Sequence, residues 1–202
     1  MSVLIYVEGG HHGQTKTACR QAFRRFFEKV IPPGSFQVRA SGDRASTFQD
    51  FRAALEKHAN DYVILLVDSE EAVTTGCWQH LRARTGDGWH QPVGTVDDQV
   101  HLMVQVMEAW FLADKPKLIA YYGQGFLDKS LPGQPNVELI SKQDVFRILQ
   151  HASRPTQKGE YHKTRHAFDL LEEIDPSRVR TASQHAARLF AVLARETGIP
   201  EI

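Results

Sequence analysis

The feature that most constrains the fold is the apolar run YVILLV at positions 62–67. It is apolar on both faces, which is typical of a strand at the centre of a parallel sheet. A second short run, 3–7, is rich in β-branched residues and ends at Glu8-Gly9-Gly10, so it predicts another buried strand. Because parallel strands need crossover helices that cover both sheet faces, these two runs predict an α/β fold.

The segments between these runs supply the crossovers. Residues 17–30 carry a helical apolar stripe that Pro32-Pro33-Gly34 ends, and residues 36–40 predict a second strand. Ser46 or Thr47 can cap a helix that runs to about residue 58. The order β-α-β-α-β indicates an open, Rossmann-like sheet whose strands are mostly parallel.

The rest of the chain predicts mostly helix. Residues 71–95 are loop-like, and residues 96–113 predict one long helix. Further helices are predicted in four segments: 115–122, from Ser141 to about 151, 162–174, and 183–197. We therefore expect an α/β core over 1–114 that includes the long helix, and a helical extension over 115–202 that packs on it as one compact unit.

Composition limits the function classes. The 202 residues are 42% hydrophobic, enough for a sizeable core, and the formal net charge of +0 gives no global attraction to nucleic acid or membrane. Any nucleic-acid contact would have to use a local patch. Cys19 and Cys77 have no paired spacing, which argues against a disulfide framework or a zinc ribbon. With no signal-peptide pattern and no membrane-length apolar run, we expect a cytoplasmic protein; its oligomeric state stays open.

Carboxylates follow two of the predicted strands. Glu8 comes after the first, and Asp68 and Glu70 come after the 62–67 run. Carboxyl ends of parallel strands meet at one edge of a sheet, and alternation would turn Asp68 and Glu70 to one side of an extended segment. Hard oxygen ligands of this kind suit Mg²⁺ or Mn²⁺. The alternative is that these acids cap helices or pair with arginines.

Polar residues interrupt the predicted long helix at helical spacing. Asp98, His101, Gln105 and Glu108 would form one narrow stripe, which is either a solvent edge or the wall of a site. An acid–His–Gln–acid stripe favours the site wall, with Glu108 as its strongest candidate. Asp97 and Asp98 could equally be N-terminal capping acids.

Basic residues gather at the predicted start of a later helix. Lys163 and Arg165 lie there with His162 and His166, which are four residues apart and so share a face. A lysine can neutralise charge on a phosphoryl oxygen, and a helix N-terminus attracts phosphate. An exposed basic helix start is the alternative. The pair His11-His12 could bind metal or substrate, or belong to a polar loop.

These residues carry a resemblance. Val7-Glu8-Gly9 and the later Val67-Asp68-Ser69-Glu70 resemble the TOPRIM domain of topoisomerases, primases and OLD-type nucleases, over about residues 1–75. Glu70 departs from that pattern, which has a second Asp there. The segment 97–114, together with Tyr161-His162-Lys163, extends the resemblance to small TOPRIM-like bacterial proteins of uncharacterised activity, often encoded beside ATPases of the ABC/AAA type.

The resemblance implies a metal-dependent nuclease. Glu8 would act as general acid/base or metal ligand, Asp68 and Glu70 would hold Mg²⁺ or Mn²⁺, and Glu108 and Lys163 would complete the site. From their positions in the sequence, His11, His12, His101, His162 and His166 are candidates to contact the substrate, which the resemblance makes a DNA or RNA phosphodiester. The protein would then be the effector partner of an ATPase in a bacterial defence-type system.

Two other interpretations stay open. Residues 10–17 fit the phosphate-binding pattern G-x-x-x-x-G-K-[ST] except at Thr15, which replaces the second glycine. That glycine lets the backbone approach phosphate, so its loss weighs against a P-loop nucleotide hydrolase. The other possibility is a non-catalytic docking or regulatory partner of an ATPase, in which the acids are structural.

Overall fold

The computed structural model describes residues 2–10 and 13–200. Its described strands form one sheet in the order β2-β1-β3-β4, with every pairing parallel. The strands are β1 (Val3–Glu8), β2 (Phe36–Gly42), β3 (Tyr62–Asp68) and β4 (Val100–Met103). The predicted α/β fold with a central parallel sheet is confirmed, and the 62–67 run lies in an inner strand, as predicted.

Helices flank the sheet and form the C-terminal region. They are α1 (Gly13–Glu28), α2 (Arg44–Lys57), α3 (Cys77–Ala83), α4 (Ala109–Ala113), α5 (Lys115–Tyr122), α6 (Lys142–Ser153), α7 (Lys163–Glu173), α8 (Pro176–Ala182) and α9 (Gln184–Thr197). Asp43 caps α2, where Ser46 or Thr47 was expected, because its carboxylate accepts from the Ser46 amide. The sequence pattern missed α3, inside the loop-like stretch, and α8.

The prediction of one long helix over 96–113 is wrong. Val100–Met103 is strand β4, paired in register with Leu65–Asp68 of β3, and only Ala109–Ala113 is helical. A continuous apolar run does not distinguish a strand from a buried helix, and the strand satisfies backbone groups of β3 that would otherwise lack partners. The predicted helical stripe therefore does not exist. His101 lies on a strand, while Gln105 and Glu108 lie in the following turn.

Strand alternation separates the core into two layers. The larger contains Val3, Ile5 and Val7 of β1 with the phenylalanines of α1, Trp110 and Phe190, and it includes residues from both 1–114 and 115–202. The smaller contains Leu4 with the aromatic side chains of α2 and α3. Trp110 is fully buried, as predicted, and stacks on Phe26 with ring centroids 5.4 Å apart. The boundary at residue 114 stays a prediction.

None of the helices in the described ranges combines the length and apolarity needed to cross a membrane.

Candidate active site

Glu8 and Asp68 end two neighbouring strands, β1 and β3, at the same edge of the sheet. Beside them lies a cavity of about 470 Å³, which we call the acidic pocket. It is lined by Glu8, Gly9, Gly10, Thr15, Asp68, Met103, Met107, Lys163, Thr164 and Phe168. Its walls thus combine carboxylates and an ammonium group with an apolar side formed by two methionines and a phenylalanine.

Asp68 lies at the bottom of this pocket. It is 5% exposed, and its Oδ1 accepts a hydrogen bond from the Met107 amide at 2.8 Å. Burial raises the pKa of the Asp68 carboxyl to about 8, and the nearby carboxylates of Glu108 and Glu8 add to that rise against the opposing effect of Lys163. Asp68 therefore holds a proton near neutral pH unless more positive charge reaches it.

Glu108 joins the cluster from the turn before α4. It is fully buried, and its Oε1 accepts a hydrogen bond from the Tyr161 hydroxyl at 3.1 Å. Its Oε2 has no hydrogen-bond partner among the described residues. A buried carboxylate oxygen without a partner is costly. Glu108 itself does not line the acidic pocket, but Lys163, which does, lies beside its carboxylate. The sequence predicted that Glu108 lies near the other acids, which the structure shows, but it predicted a long helix there, whereas Glu108 lies in the turn before α4.

Lys163 connects the two buried acids. It is the first residue of α7, and its Nζ lies 3.6 Å from Glu108 Oε1 and 4.0 Å from Asp68 Oδ2. Burial opposes the charge on this ammonium group, but the carboxylates of Glu108 and Asp68 outweigh burial and raise its pKa. The side chain is still about half exposed, so its ammonium group faces both the carboxylates and the open pocket.

Arg44 holds Glu8 at the rim. Its guanidinium donates to Glu8 Oε2 at 3.0 Å and to the backbone carbonyl of Asp68 at 2.7 Å, and it pairs with both oxygens of Asp87. The same group lies 5.0 Å from the centre of the Trp89 ring. Burial raises the pKa of Glu8, although Arg44 acts against that rise. Arg44 thus orients Glu8 and ties the ends of β1 and β3 together.

The chain turns sharply after Glu8. Gly9 and Gly10 have φ of 134° and 75°, and a Cβ on Gly10 would lie 2.6 Å from the backbone of Lys16. Only glycine fits this left-handed turn and this close approach to α1. The backbone of Gly9 and Gly10 therefore lines the acidic pocket together with Glu8.

Glu70 differs from the expected geometry. Its φ is 68°, so the extended segment has ended and alternation no longer governs its side chain. Its amide donates to the Gln105 carbonyl at 2.7 Å, and its carboxylate pairs with Lys142 at the start of α6. Glu70 therefore lies at the outer side of the cluster with a cation of its own, and the inner set is Glu8, Asp68, Glu108 and Lys163.

The candidate histidines do not line the acidic pocket where the structure describes them. His101 is buried, with Nε2 hydrogen-bonded to the Asp98 carbonyl at 2.9 Å, and burial with Arg188 nearby lowers its pKa to about 3. His162 precedes α7, and its amide donates to Nδ1 of the buried His166 at 3.0 Å. His11 and His12 lie outside the described residues.

Three contributors escaped the sequence analysis. Arg44 begins a helix directly after its cap, Asp87 lies in a glycine-rich loop, and Tyr161 was seen only as part of a resemblance. The sequence indicated only that some cation such as Arg44 should lie nearby, because buried carboxylates at strand ends are stabilised by a neighbouring positive charge. Nothing in the pattern says which of 24 lysines and arginines provides it.

The donor set fits a divalent cation by its chemistry. Asp68, Glu108 and Glu8 offer hard oxygens, and Glu108 Oε2 has no hydrogen-bond partner among the described residues. Burial, with other carboxylates nearby, raises the pKa of Asp68. In residues 2–10 and 13–200, no three His, Cys, Asp or Glu side chains are already gathered around one metal position. A cation would therefore require local adjustment of these carboxylates.

Comparison with known proteins identifies one family. Residues 7–194 match the family described as "Domain of unknown function (DUF4276)", and the chain belongs to it. The comparisons with curated proteins and with solved structures gave no match. The family match shows no relationship to TOPRIM domains or to OLD-type nucleases, so that resemblance stays a hypothesis.

Proposed function

We propose that this member of the DUF4276 family is a divalent-cation-dependent phosphodiester hydrolase that cuts nucleic acid at the acidic pocket. The observation that carries the proposal is the buried pair Asp68 and Glu108 sharing Lys163, in which Glu108 Oε2 has no hydrogen-bond partner among the residues that the structure describes. In a purely structural ion cluster, buried polar atoms tend to have hydrogen-bond partners. Here Lys163 and Asp68 connect the buried cluster to an open cavity.

The residues of the pocket have separate roles. Lys163 would face the non-bridging oxygens of a phosphodiester and offset the negative charge that develops as water attacks phosphorus. Glu8, held by Arg44 at the rim, would take the proton of the attacking water, and the departing oxygen would take a proton from solvent. The raised pKa of Glu8 makes it a better proton acceptor than a fully solvated glutamate.

Asp68 and Glu108 would hold the cation, Mg²⁺ or Mn²⁺. When bound, the cation would supply Lewis-acid polarisation of the phosphoryl oxygen. It would also replace the proton on Asp68, whose pKa of about 8 reflects burial beside other carboxylates. We therefore expect cation binding to release a proton near neutral pH.

The test is cleavage of single-stranded DNA, duplex DNA, RNA and tRNA by the purified full-length chain with Mn²⁺ or Mg²⁺. Asp68→Asn is the decisive variant because an asparagine can still accept from the Met107 amide but cannot bind a cation as a carboxylate does. We expect its rate to fall at least about a hundredfold. Lys163→Met should also lower the rate while Mn²⁺ still binds.

The matched control is Asp128→Asn, the same chemical change at an exposed position away from the acidic pocket. It should cleave at the wild-type rate. Cleavage that persists in Asp68→Asn at the wild-type rate refutes the assigned site. Absence of both Mn²⁺ binding by calorimetry and cleavage, with and without a co-encoded ATPase, favours the docking-partner hypothesis. The ATPase partnership itself stays a prediction.

A further inference from the structure

A second cavity, of about 490 Å³, lies between α1, β2 and α2, and we call it the basic pocket. Its charged lining consists of Lys16, Arg20, Arg39 and Lys57 against a single carboxylate, Asp50. The chain as a whole has a formal net charge of +0. This pocket is therefore a local concentration of positive charge, the kind of patch that contact with a polyanion would require.

The lysines and arginines of the basic pocket form no ion pairs within the part of the chain that the structure describes. Among the described residues, none of Lys16, Arg20, Arg39 and Lys57 forms an ion pair, and Arg39 donates only to the Gln37 side chain. A cavity on α6 offers a contrast, because its Arg147 and Arg154 are paired with Asp144 and Glu160. Unpaired like charges facing one cavity repel each other, and a bound anion relieves that repulsion.

The basic pocket adjoins the acidic pocket. The Lys16 side chain lies over Gly42, since a Cβ there would be 3.0 Å from Lys16 Cε and 3.3 Å from Nζ. Gly42 is the strand partner of Glu8, and its carbonyl accepts from the Gly9 amide at 2.8 Å. Gly9 and Gly10 also line the acidic pocket. The Gly9-Gly10 turn, which lines the acidic pocket, thus lies against Lys16, which lines the basic pocket.

We propose that the basic pocket binds backbone phosphates of a nucleic-acid strand next to the phosphodiester held in the acidic pocket. The inference rests on the proposed function and names its substrate contact. Lysine and arginine contacts to phosphate position a strand without reading its sequence, so the expected binding is sequence-independent and salt-dependent. The lysines and arginines of the basic pocket supply the affinity. The nucleic-acid strand passes beside the Gly9-Gly10 turn from one pocket to the other.

The test measures binding without catalysis. Fluorescein-labelled single-stranded DNA, RNA and duplex DNA are titrated with the full-length chain in EDTA and followed by fluorescence anisotropy over a range of salt concentrations. The test variant is Arg20→Gln/Arg39→Gln. Its matched control, Arg147→Gln/Arg154→Gln, removes the same total charge from the paired arginines of α6.

We expect the test variant to bind single strands at least about tenfold more weakly, and its log–log salt slope to shrink by about 1.4 because two phosphate contacts are lost. The control variant should bind within about twofold of wild type. Equal losses in both variants, or an unchanged affinity in the test variant, would overturn the proposal. So would salt-dependent binding of ATP with no binding of any oligonucleotide.

Asp68→Asn separates this inference from the proposed function. It should bind the oligonucleotides at least as tightly as wild type, because it leaves all the basic-pocket cations in place. Selective loss of binding in Arg20→Gln/Arg39→Gln, with no metal-dependent cleavage by wild type, supports the basic pocket and refutes the hydrolase. Cleavage that depends on Asp68, together with normal binding by Arg20→Gln/Arg39→Gln, supports the hydrolase and refutes the basic pocket as a binding site.

Discussion

Asp68→Asn should change how the stability of the protein depends on pH. In the folded protein, burial beside Glu108 and Glu8 keeps the pKa of Asp68 at about 8, whereas its ordinary value is 3.8. Between these pH values the folded chain holds one more proton than the unfolded chain. The contribution of Asp68 to stability is therefore full at low pH and is lost as pH rises toward about 8, opposite to the usual salt-bridged aspartate.

The size of the effect follows from the linkage relation. One extra proton gives a slope of at most about 1.4 kcal/mol per pH unit, so the free energy of unfolding falls by on the order of 3 kcal/mol between about pH 5 and pH 7. Asparagine carries no titrating proton and still accepts from the Met107 amide. The variant should therefore lose this slope and exceed wild type in stability at alkaline pH.

The assay is urea denaturation, followed by circular dichroism at several pH values, for wild type, Asp68→Asn and the exposed control Asp128→Asn. Taking the difference between variants cancels the titration of groups that do not interact with Asp68. Saturating Mn²⁺ should flatten the wild-type slope because a cation favours the carboxylate, and should leave Asp68→Asn unchanged. Parallel pH profiles for wild type and Asp68→Asn in metal-free buffer would refute this account of the cluster.

Two other predictions concern the core. Trp110→Ala should lower the free energy of unfolding by about 3–5 kcal/mol in guanidinium titrations, because it empties a fully buried site packed on Phe26; a loss below about 1 kcal/mol would contradict that packing. His101→Gln should remove an acid-dependent loss of stability. The pKa of His101 in the folded protein is about 3, whereas its ordinary value is 6.5. Wild type therefore loses stability as pH falls through that range. An equal loss in the variant would exclude His101 as its source.

The sequence by itself determined three of the four described strands and placed two candidate site residues at one edge of their sheet. The 62–67 run is short, β-branched and apolar on both faces, which favours a strand covered on both sides. Glu8 and Asp68 could be placed together because neighbouring parallel strands end at one edge of a sheet. Ser141 and Ser183 also mark the starts of α6 and α9 as predicted, since both hydroxyls accept from helix amides.

Only the tertiary structure decided what residues 96–113 form. Their apolar run suits a buried helix and a buried strand equally well by pattern, and the unpaired edge of β3 selects the strand. Glu108 therefore lies on a turn, beside the acidic pocket. His101 lies in the core near Arg188 of α9 and does not line the pocket. A helical model would have placed both residues on one face.

The partners of the acids were also decided in three dimensions. Arg44 reaches the strand ends from the start of α2, and Tyr161 and Lys163 reach them from the start of α7. Glu70 pairs with Lys142 because its backbone has left the extended region. Local pattern carries no information about such distant contacts. The sequence determines where carboxylates must lie along the sheet edge, whereas the packing of helices on the sheet determines which cations meet them, and hence their pKa values and chemistry.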